Sequence, residues 1–165
     1  MIAVNSSPII NLAKQGQLAL LEKCFKKVVM PVSVYDEILK KSESPESIAL
    51  NKAISEKWIL VQKVSVMSKL ETKNIAQGEK EAISLAYRHK TMLIIDDDSA
   101  KKYASIFGVE SHGTLFVIYS ACVKKLIDKK KAINLMEGII AEGFYISSEL
   151  YTKFISLLDA LNSYP

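Results

Sequence analysis

Short apolar runs alternate along this chain with longer segments in which apolar residues recur at helical spacing. The runs predict strands at residues 2–4, 28–30, 58–61 and 92–95, and a short fifth strand that begins at Val109. Continuous apolar runs of this length are typical of parallel strands that are buried on both faces. Strands that alternate with helices predict an α/β fold. We expect three layers, α/β/α, around a mainly parallel sheet of four to five strands.

The helical periods fall between these strands. Pro8 suits the first turn of the first helix, which Ser6 or Ser7 would cap. No internal repeat or linker interrupts the pattern, so we predict a single domain over residues 1–165, with the last helix as a C-terminal extension. Residues 62–77 give no clear prediction. The other helices are predicted at 18–24, about 34–39, 46–57, 78–90, 99–107, 113–126, 129–142 and 148–162.

Composition places the chain among ordinary globular proteins. Hydrophobic residues make up 49% and charged residues 24% of its 165 residues, which excludes an intrinsically disordered chain. No apolar run approaches the roughly 20 residues of a membrane span. The sequence shows no signal peptide, so we expect a cytoplasmic protein with Cys24 and Cys122 reduced. The net charge of +4 is compatible with a polyanionic partner without requiring one.

Four nucleotide- and phosphate-handling classes fit the sequence poorly. The glycines form neither G-x-G-x-x-G nor a Walker pattern, which excludes dinucleotide-binding and P-loop folds. The run Asp96–Asp98 resembles the DxD motif of haloacid-dehalogenase-like phosphatases, but that motif belongs near the N-terminus and needs Thr or Val where Ala100 stands. A response-regulator receiver needs an acidic pair after the first strand, where this chain has Asn5 and Ser6.

Polar residues follow two of the predicted strands. Asn5 comes directly after the first strand, and Asp96 and Asp97 come after the fourth. Ligand sites of open parallel sheets lie beyond the carboxyl ends of the strands. Carboxylate and amide oxygens there suit Mg²⁺ or Mn²⁺. The alternative is that the aspartates only cap the next helix.

Two glutamates on predicted helices are further candidates. Glu79 shares a helical face with apolar residues of the helix after Gly78, whereas Glu81 is expected on the solvated side. Glu37 neighbours Ile38 on a helix that begins just past the second strand. Glu79 could instead interact only with the helix dipole, and Glu37 could be an ordinary surface acid.

The order of these segments resembles the PIN-domain nucleases. More narrowly, it is similar to a prokaryotic PIN-like family described as nucleic-acid-binding proteins. The resemblance spans residues 2 to about 155. It is carried by Ile-Ala-Val-Asn5-Ser6-Ser7-Pro8, Val-Tyr-Asp36-Glu37-Ile, Gly78-Glu79-Lys-Glu81-Ala-Ile-Ser-Leu-Ala, Leu-Ile-Ile-Asp96-Asp97, Gly113-Thr114-Leu115 and Gly143-Phe144-Tyr145-Ile146-Ser147.

The resemblance implies a PIN-like fold and a cluster of acids that binds Mg²⁺ or Mn²⁺ to hydrolyse RNA. The four catalytic positions fall on Asn5, Glu37, Glu79 and Asp97. Asn5, Glu79 and Asp97 would also bind the metal, with Asp96 as a further ligand or a cap. Ser7 matches a supporting hydroxyl residue after the first acid, and Glu81 is the less favoured register of the third position.

The sequence departs from the family at Asn5, where members usually have aspartate. An amide oxygen can still ligate a hard cation, but the site loses one negative charge. Two hypotheses follow. The first is a metal-dependent endoribonuclease, the toxin of a toxin–antitoxin pair, with Lys101 and Lys102 contacting RNA. The second is a catalytically weakened module that binds RNA or protein.

The resemblance also implies protein partners. A small antitoxin protein would hold the toxin inactive. PIN relatives often form homodimers, and the apolar segment from Ile9 to Leu21 could supply the dimer surface.

Overall fold

The computed structural model describes residues 1–40 and 43–161, and every statement about the structure refers to these residues. Strands and helices alternate through most of the chain. In chain order they are β1 (Ile2–Val4), α1 (Ser6–Lys14), α2 (Ala19–Phe25), β2 (Val28–Pro31), α3 (Val32–Leu39), α4 (Pro45–Ser55), β3 (Ile59–Gln62), α5 (Ser68–Glu71), α6 (Gln77–His89), β4 (Leu93–Ile94), α7 (Asp98–Ile106), β5 (Ser111–His112), α8 (Thr114–Val123), α9 (Lys129–Ala141) and α10 (Ser148–Leu161).

The described strands form one parallel sheet of five strands in the order β3-β2-β1-β4-β5. β1 lies at the centre, with Ala3 paired to Val29 of β2 on one side and to Leu93 of β4 on the other. The chain runs outwards from β1 to β2 and β3, then returns to β4 beside β1. The strand order therefore reverses at the carboxyl ends of β1 and β4, where open α/β sheets bind ligands.

Successive strand residues contribute to two separate apolar cores. Val28, Met30 and Ile94 belong to the core on one face of the sheet, and Val29 and Leu93 belong to the core on the other. Side chains alternate between the two faces of a strand, so strands buried on both faces read as unbroken apolar runs. This arrangement confirms the predicted three-layer α/β/α fold.

The helices divide between the two faces. Apolar residues of α1, α2, α3, α4, α8, α9 and α10 belong to the first core, and those of α5, α6 and α7 belong to the second. α10 contacts α8 and α9 and buries Phe154 and Leu158. Its buried residues belong to the core of the same layer.

Most predicted elements are present, and the differences are local. β5 begins at Ser111 rather than at Val109, because the Val109 N–H donates to the Ala104 carbonyl and completes the end of α7. Asn5, rather than Ser6 or Ser7, occupies the N-cap position of α1, without a capping hydrogen bond from its side chain. The segment 62–77 contains the short helix α5. The predicted end of the last helix, residue 162, lies outside the described residues.

No described helix combines the length and the apolar character that crossing a membrane requires.

Candidate active site

Asn5 occupies the centre of the sheet's carboxyl edge. Its backbone N–H donates to the Ile94 carbonyl at 3.0 Å, which fixes Asn5 beside the end of β4. The residue is 5% exposed. Its Oδ1 atom is the one buried side-chain nitrogen or oxygen, among the described residues, that has no hydrogen-bond partner. An unsatisfied buried acceptor costs about 1–3 kcal/mol, so this oxygen is positioned for a ligand rather than for stability.

Glu37 lies across a small open space from Asn5. A Cβ atom built on Gly78 would lie 3.7 Å from Asn5 Oδ1 and 3.6 Å from Glu37 Oε2. It would also lie 3.2 Å from Val34 Cγ2. Two acceptor oxygens, one from Asn5 just after β1 and one from Glu37 of α3, therefore converge beside the first turn of α6. The absence of a side chain at Gly78 keeps the space between them open.

Glu79 follows in the first turn of α6. Its Oε2 accepts a hydrogen bond of 2.8 Å from the Ala76 N–H, which satisfies a free donor at the start of the helix. Burial raises the pKa of Glu79 above its ordinary value, and the Ala76 hydrogen bond opposes this change. The negative charges of Asp97 and Glu37 raise the pKa further. These acids from α3, α6 and the start of α7 are therefore electrostatic neighbours.

Asp97 combines two roles that the sequence left open. It is the N-cap of α7, and its Oδ1 accepts from the Ala100 N–H at 2.7 Å. Its charge also acts on Glu79 across the sheet edge. The capping role is thus real, and it holds the carboxylate at the edge where the other acids gather.

Asp96 is held by hydrogen bonds from Thr114 and Asn11. Its Oδ1 accepts from the Thr114 N–H at 2.7 Å, and its Oδ2 accepts from Thr114 Oγ1 at 2.7 Å and Asn11 Nδ2 at 3.2 Å. Burial raises the pKa of Asp96, while the Thr114 bonds, Lys101 and the Asn11 bond lower it. Both oxygens accept hydrogen bonds, so Asp96 has a positioning role in this geometry, and its predicted role as a metal ligand stays a prediction.

The remaining predicted residues lie around the edge. Glu81 is half-buried rather than solvated and accepts hydrogen bonds from Ser33 Oγ at 2.6 Å and Gln77 Nε2 at 2.8 Å. Ser7 lies half-buried in the first turn of α1, and no hydrogen bond joins it to Asn5 in the described structure. Lys101 pairs with Asp98 at 3.1 Å, whereas Lys102 is exposed to solvent.

Sequence reasoning missed the residues that shape the site without carrying charge. The sequence predicts Gly78 only as a helix start, and only the packing of α6 against β1 and α3 reveals the space it leaves. Thr114 belongs to one of the sequence motifs, but its bonds to Asp96 depend on the pairing of β4 with β5. Asn11 interrupts the apolar face of α1, which is a signal that could have been used.

The donor set favours a hard cation only when Asn5 is included. Within the described ranges 1–40 and 43–161, no three Asp, Glu, His or Cys side chains approach closely enough to hold a metal by themselves. Asn5 supplies a further oxygen donor without a partner, and the space beside Gly78 supplies room for an ion. Oxygen donors of this kind fit Mg²⁺ or Mn²⁺.

Comparison with known proteins gives an independent view of this arrangement. A family model described as a PIN domain matches residues 1–160. Among solved structures, the chain is similar to a PilT N-terminus domain protein from the hyperthermophilic archaeon Sulfolobus solfataricus P2. The two are 21% identical with a TM-score of 0.54, over 73% of this chain and 93% of that one, which shows a shared fold. A search of curated proteins found no match. Because the family model spans nearly the whole sequence, the chain belongs to the PIN-domain family.

Proposed function

We propose that this protein is a metal-dependent endoribonuclease that hydrolyses RNA phosphodiester bonds. The observation that carries the proposal is the unpartnered Asn5 Oδ1, which converges with Glu37 on the space beside Gly78. Glu79 and Asp97 add negative charge at the same edge. Repulsion between gathered acids and a buried acceptor without a partner are both unfavourable in the apo protein, whereas a bound cation would neutralise the acids and give the acceptor a partner.

Asn5, Glu37, Glu79 and Asp97 are the residues that would hold Mg²⁺ or Mn²⁺. When bound, such an ion acidifies a water molecule and offsets the charge that develops on the phosphate. The carboxylates of Glu37, Glu79 and Asp97 can accept hydrogen bonds from a water or take its proton. The Asn5 amide oxygen can accept a hydrogen bond but cannot take a proton, so in this chain the first position orients and does not act as a base.

The raised pKa of Glu79 predicts the direction of the pH dependence. A ligand must be deprotonated to bind a metal, and Glu79 loses its proton at a higher pH than an ordinary glutamate. Metal affinity is therefore expected to increase as the pH rises through the pKa of Glu79.

A second candidate function rests on Asn5 itself. Family members usually have aspartate at this position, and the described acids do not form a metal-binding group alone. A module that binds RNA or protein and cleaves slowly or not at all is consistent with that loss of charge.

Cleavage of a mixed single-stranded RNA by the protein and its Asn5→Asp variant separates the two functions. The reaction is run with Mn²⁺, with Mg²⁺ and with EDTA. Metal-dependent cleavage by both proteins, lost in Glu37→Gln, supports the enzyme. Cleavage by the Asp variant alone indicates a nuclease disabled at one position. Binding of RNA or a protein without cleavage by either supports the binding module.

We extend this proposal to a toxin that acts in the cytoplasm, is held inactive by an antitoxin and forms a homodimer. An antitoxin would be encoded near the gene for this chain and would suppress its activity when co-expressed. The segment from Ile9 to Leu21 lends a dimer little apolar surface, because its large aliphatic side chains other than Ile10 are buried. Light scattering would determine whether another face forms the dimer.

A further inference from the structure

A groove lined by aromatic side chains opens between α8, the loop 142–147 and α10. Its volume is about 400 Å³. We call it the aromatic groove and define it by the rings that line it, which are His112, Phe116, Tyr119, Phe144, Tyr145 and Phe154. Ser111, Ser147 and Lys153 add hydrogen-bonding groups to the same walls. The described site residues Asn5, Glu37 and Glu79 are not part of this lining.

The aromatic groove begins where the candidate active site ends. Asp97 acts on Glu79 in the active site, while its neighbours Asp96 and Asp98 line the groove. Gly113 also lines it, and a Cβ atom there would lie 2.8 Å from Asp96 Oδ1. A polymer whose scissile phosphate lies at the acids therefore has this groove beside it for the adjoining residue.

The rings offer flat surfaces for stacking. His112 and Phe116 already stack with ring centroids 4.0 Å apart and planes 14° apart. Tyr145 is 86% exposed in the loop before α10, so its ring has solvent on most sides. Exposed aromatic rings above a cleft are typical of sites that bind unpaired bases, because every base has a face that can stack.

Two lysines place positive charge at the groove. Lys101 Nζ lies 3.1 Å from Asp98 Oδ1 and 3.7 Å from the position of a Gly113 Cβ, at the boundary with the active site. Lys153 lines the groove from α10. A nucleotide with its base among the rings carries a phosphate on each side, and lysines at these positions suit such phosphates.

We propose that the aromatic groove binds one unpaired nucleotide of single-stranded RNA, next to the phosphate that is cleaved. The assignment of the neighbouring phosphate rests on the proposed nuclease function, whereas the stacking of the base does not. The groove's volume lies at the small end of ligand-sized sites and suits one nucleotide better than a protein segment.

Fluorescence anisotropy with a short labelled RNA, measured in EDTA so that no cleavage occurs, tests the proposal. Tyr145→Ala should weaken binding of the single strand by about 5- to 100-fold, and Tyr145→Phe should retain it. Binding of the same sequence as a duplex should be unaffected by Tyr145→Ala, because paired bases remain in the helix. Lys101→Met should weaken single-strand and duplex binding alike.

Tyr87→Ala is the matched control, since Tyr87 is a 52% exposed tyrosine on α6 that does not line the groove. It should bind the single strand as the unaltered protein does. The proposal is overturned if the unaltered protein does not bind single-stranded RNA, or if Tyr145→Ala binds it equally well. It is also overturned if Tyr145→Ala disrupts only a protein complex.

Cleavage assays separate failure of this proposal from failure of the nuclease proposal. If RNA binding depends on Tyr145 but neither the protein nor its Asn5→Asp variant cleaves RNA, the proposal for the aromatic groove is retained and the nuclease proposal is rejected. If Tyr145→Ala changes neither cleavage nor RNA binding, the nuclease proposal is retained and the proposal for the aromatic groove is rejected.

Discussion

The open space beside Gly78 gives an uncharged position control over the proposed metal site. Asn5 Oδ1 and Glu37 Oε2 both lie within 3.7 Å of where a Gly78 Cβ would be. We predict that Gly78→Ala lowers Mn²⁺ affinity by about 10- to 100-fold, the size of effect seen when groups around metal ligands change. Calorimetric titration of Mn²⁺ measures the affinity.

Gly138→Ala is the control for this change. A Cβ at Gly138 meets the side chain of Gln15, which can move, and alanine is favoured within a helix by about 0.5–1 kcal/mol. Its Mn²⁺ affinity should equal that of the unaltered protein. Equal affinity in Gly78→Ala would show that the ion does not occupy this space.

The environment of Asp96 predicts a stability that falls as pH rises. Burial raises the pKa of Asp96 in the folded protein, so between about 3.9, the unfolded value, and that raised pKa the folded state binds more protons. The stabilisation is complete below the unfolded pKa and is lost as pH rises through the folded one. Asp96→Asn does not titrate in this pH window. As pH rises through the window, its free energy of unfolding, measured with urea in the presence of EDTA, should therefore increase relative to that of the unaltered protein.

Thr114 offers a second way to measure the same linkage. Thr114→Val removes the Oγ1 donor to Asp96 Oδ2 and should move the window to higher pH, because that bond lowers the pKa of Asp96. Thr114→Ser keeps the donor and should leave the window in place. A stability difference for Asp96→Asn that does not change with pH would contradict the assigned burial effect.

The sequence predicted residue positions where the motif order fixes them, and the roles of these residues stay predictions. Asn5 follows the first strand, Glu37 lies on the helix after the second, and Glu79 lies in the first turn of α6. The positioning of Asp96 was not predictable, because its partner Asn11 lies 85 residues away and meets it only after β1 and β4 pair. A pattern of nearby residues carries no information about that contact.

At the scale of elements, the start of α7 combines helix capping with charge placement. Asp97 caps α7 through the Ala100 N–H, and Asp128 caps α9 through the Lys131 N–H, each at 2.7 Å. Asp97→Ala should cost about 0.5–2 kcal/mol of stability and abolish metal-dependent cleavage, whereas Asp97→Asn should retain the cap and still lose cleavage. Chemical unfolding and RNA cleavage measure the two effects.

Asp128→Ala is the matched control because it removes a similar cap far along the chain from the acids. It should lose comparable stability and keep full cleavage. If Asp97→Asn cleaves RNA at the unaltered rate, Asp97 is a cap alone.

Element boundaries were less predictable than element types. The strands could be located from apolar runs because a strand that is buried on both faces has apolar side chains at successive positions. The start of β5 was misplaced because Val109 is apolar and buried yet serves the end of α7. The cap of α1 was misplaced because Asn5 directs its side chain oxygen to the site instead of to the helix.

At the scale of the whole molecule, two apolar cores hold the sheet so that polar residues at its carboxyl edge need not contribute to stability. Ile94 and Ile95 at the end of β4 are fully buried, one in each core, immediately before the aspartates. The fold therefore tolerates unfavourable electrostatics at the edge. These layers could be predicted from the sequence because successive strand residues enter the two cores in turn, so each buried strand is a continuous apolar run.

The last prediction links this edge to global stability. Asn5→Asp buries a further negative charge beside Glu37 and near Glu79, so in EDTA its Tm should fall below that of the unaltered protein. Mn²⁺ at about 100 times its Kd adds about 2.7 kcal/mol, which at this chain length raises Tm by about 5–10 °C. At one Mn²⁺ concentration the variant should gain more than the unaltered protein, because the added carboxylate strengthens binding. Calorimetry with and without Mn²⁺ measures both shifts, with Asp128→Ala as a destabilised control whose Mn²⁺ response is unchanged. A variant that loses stability in EDTA and regains none with Mn²⁺ would place the cation elsewhere.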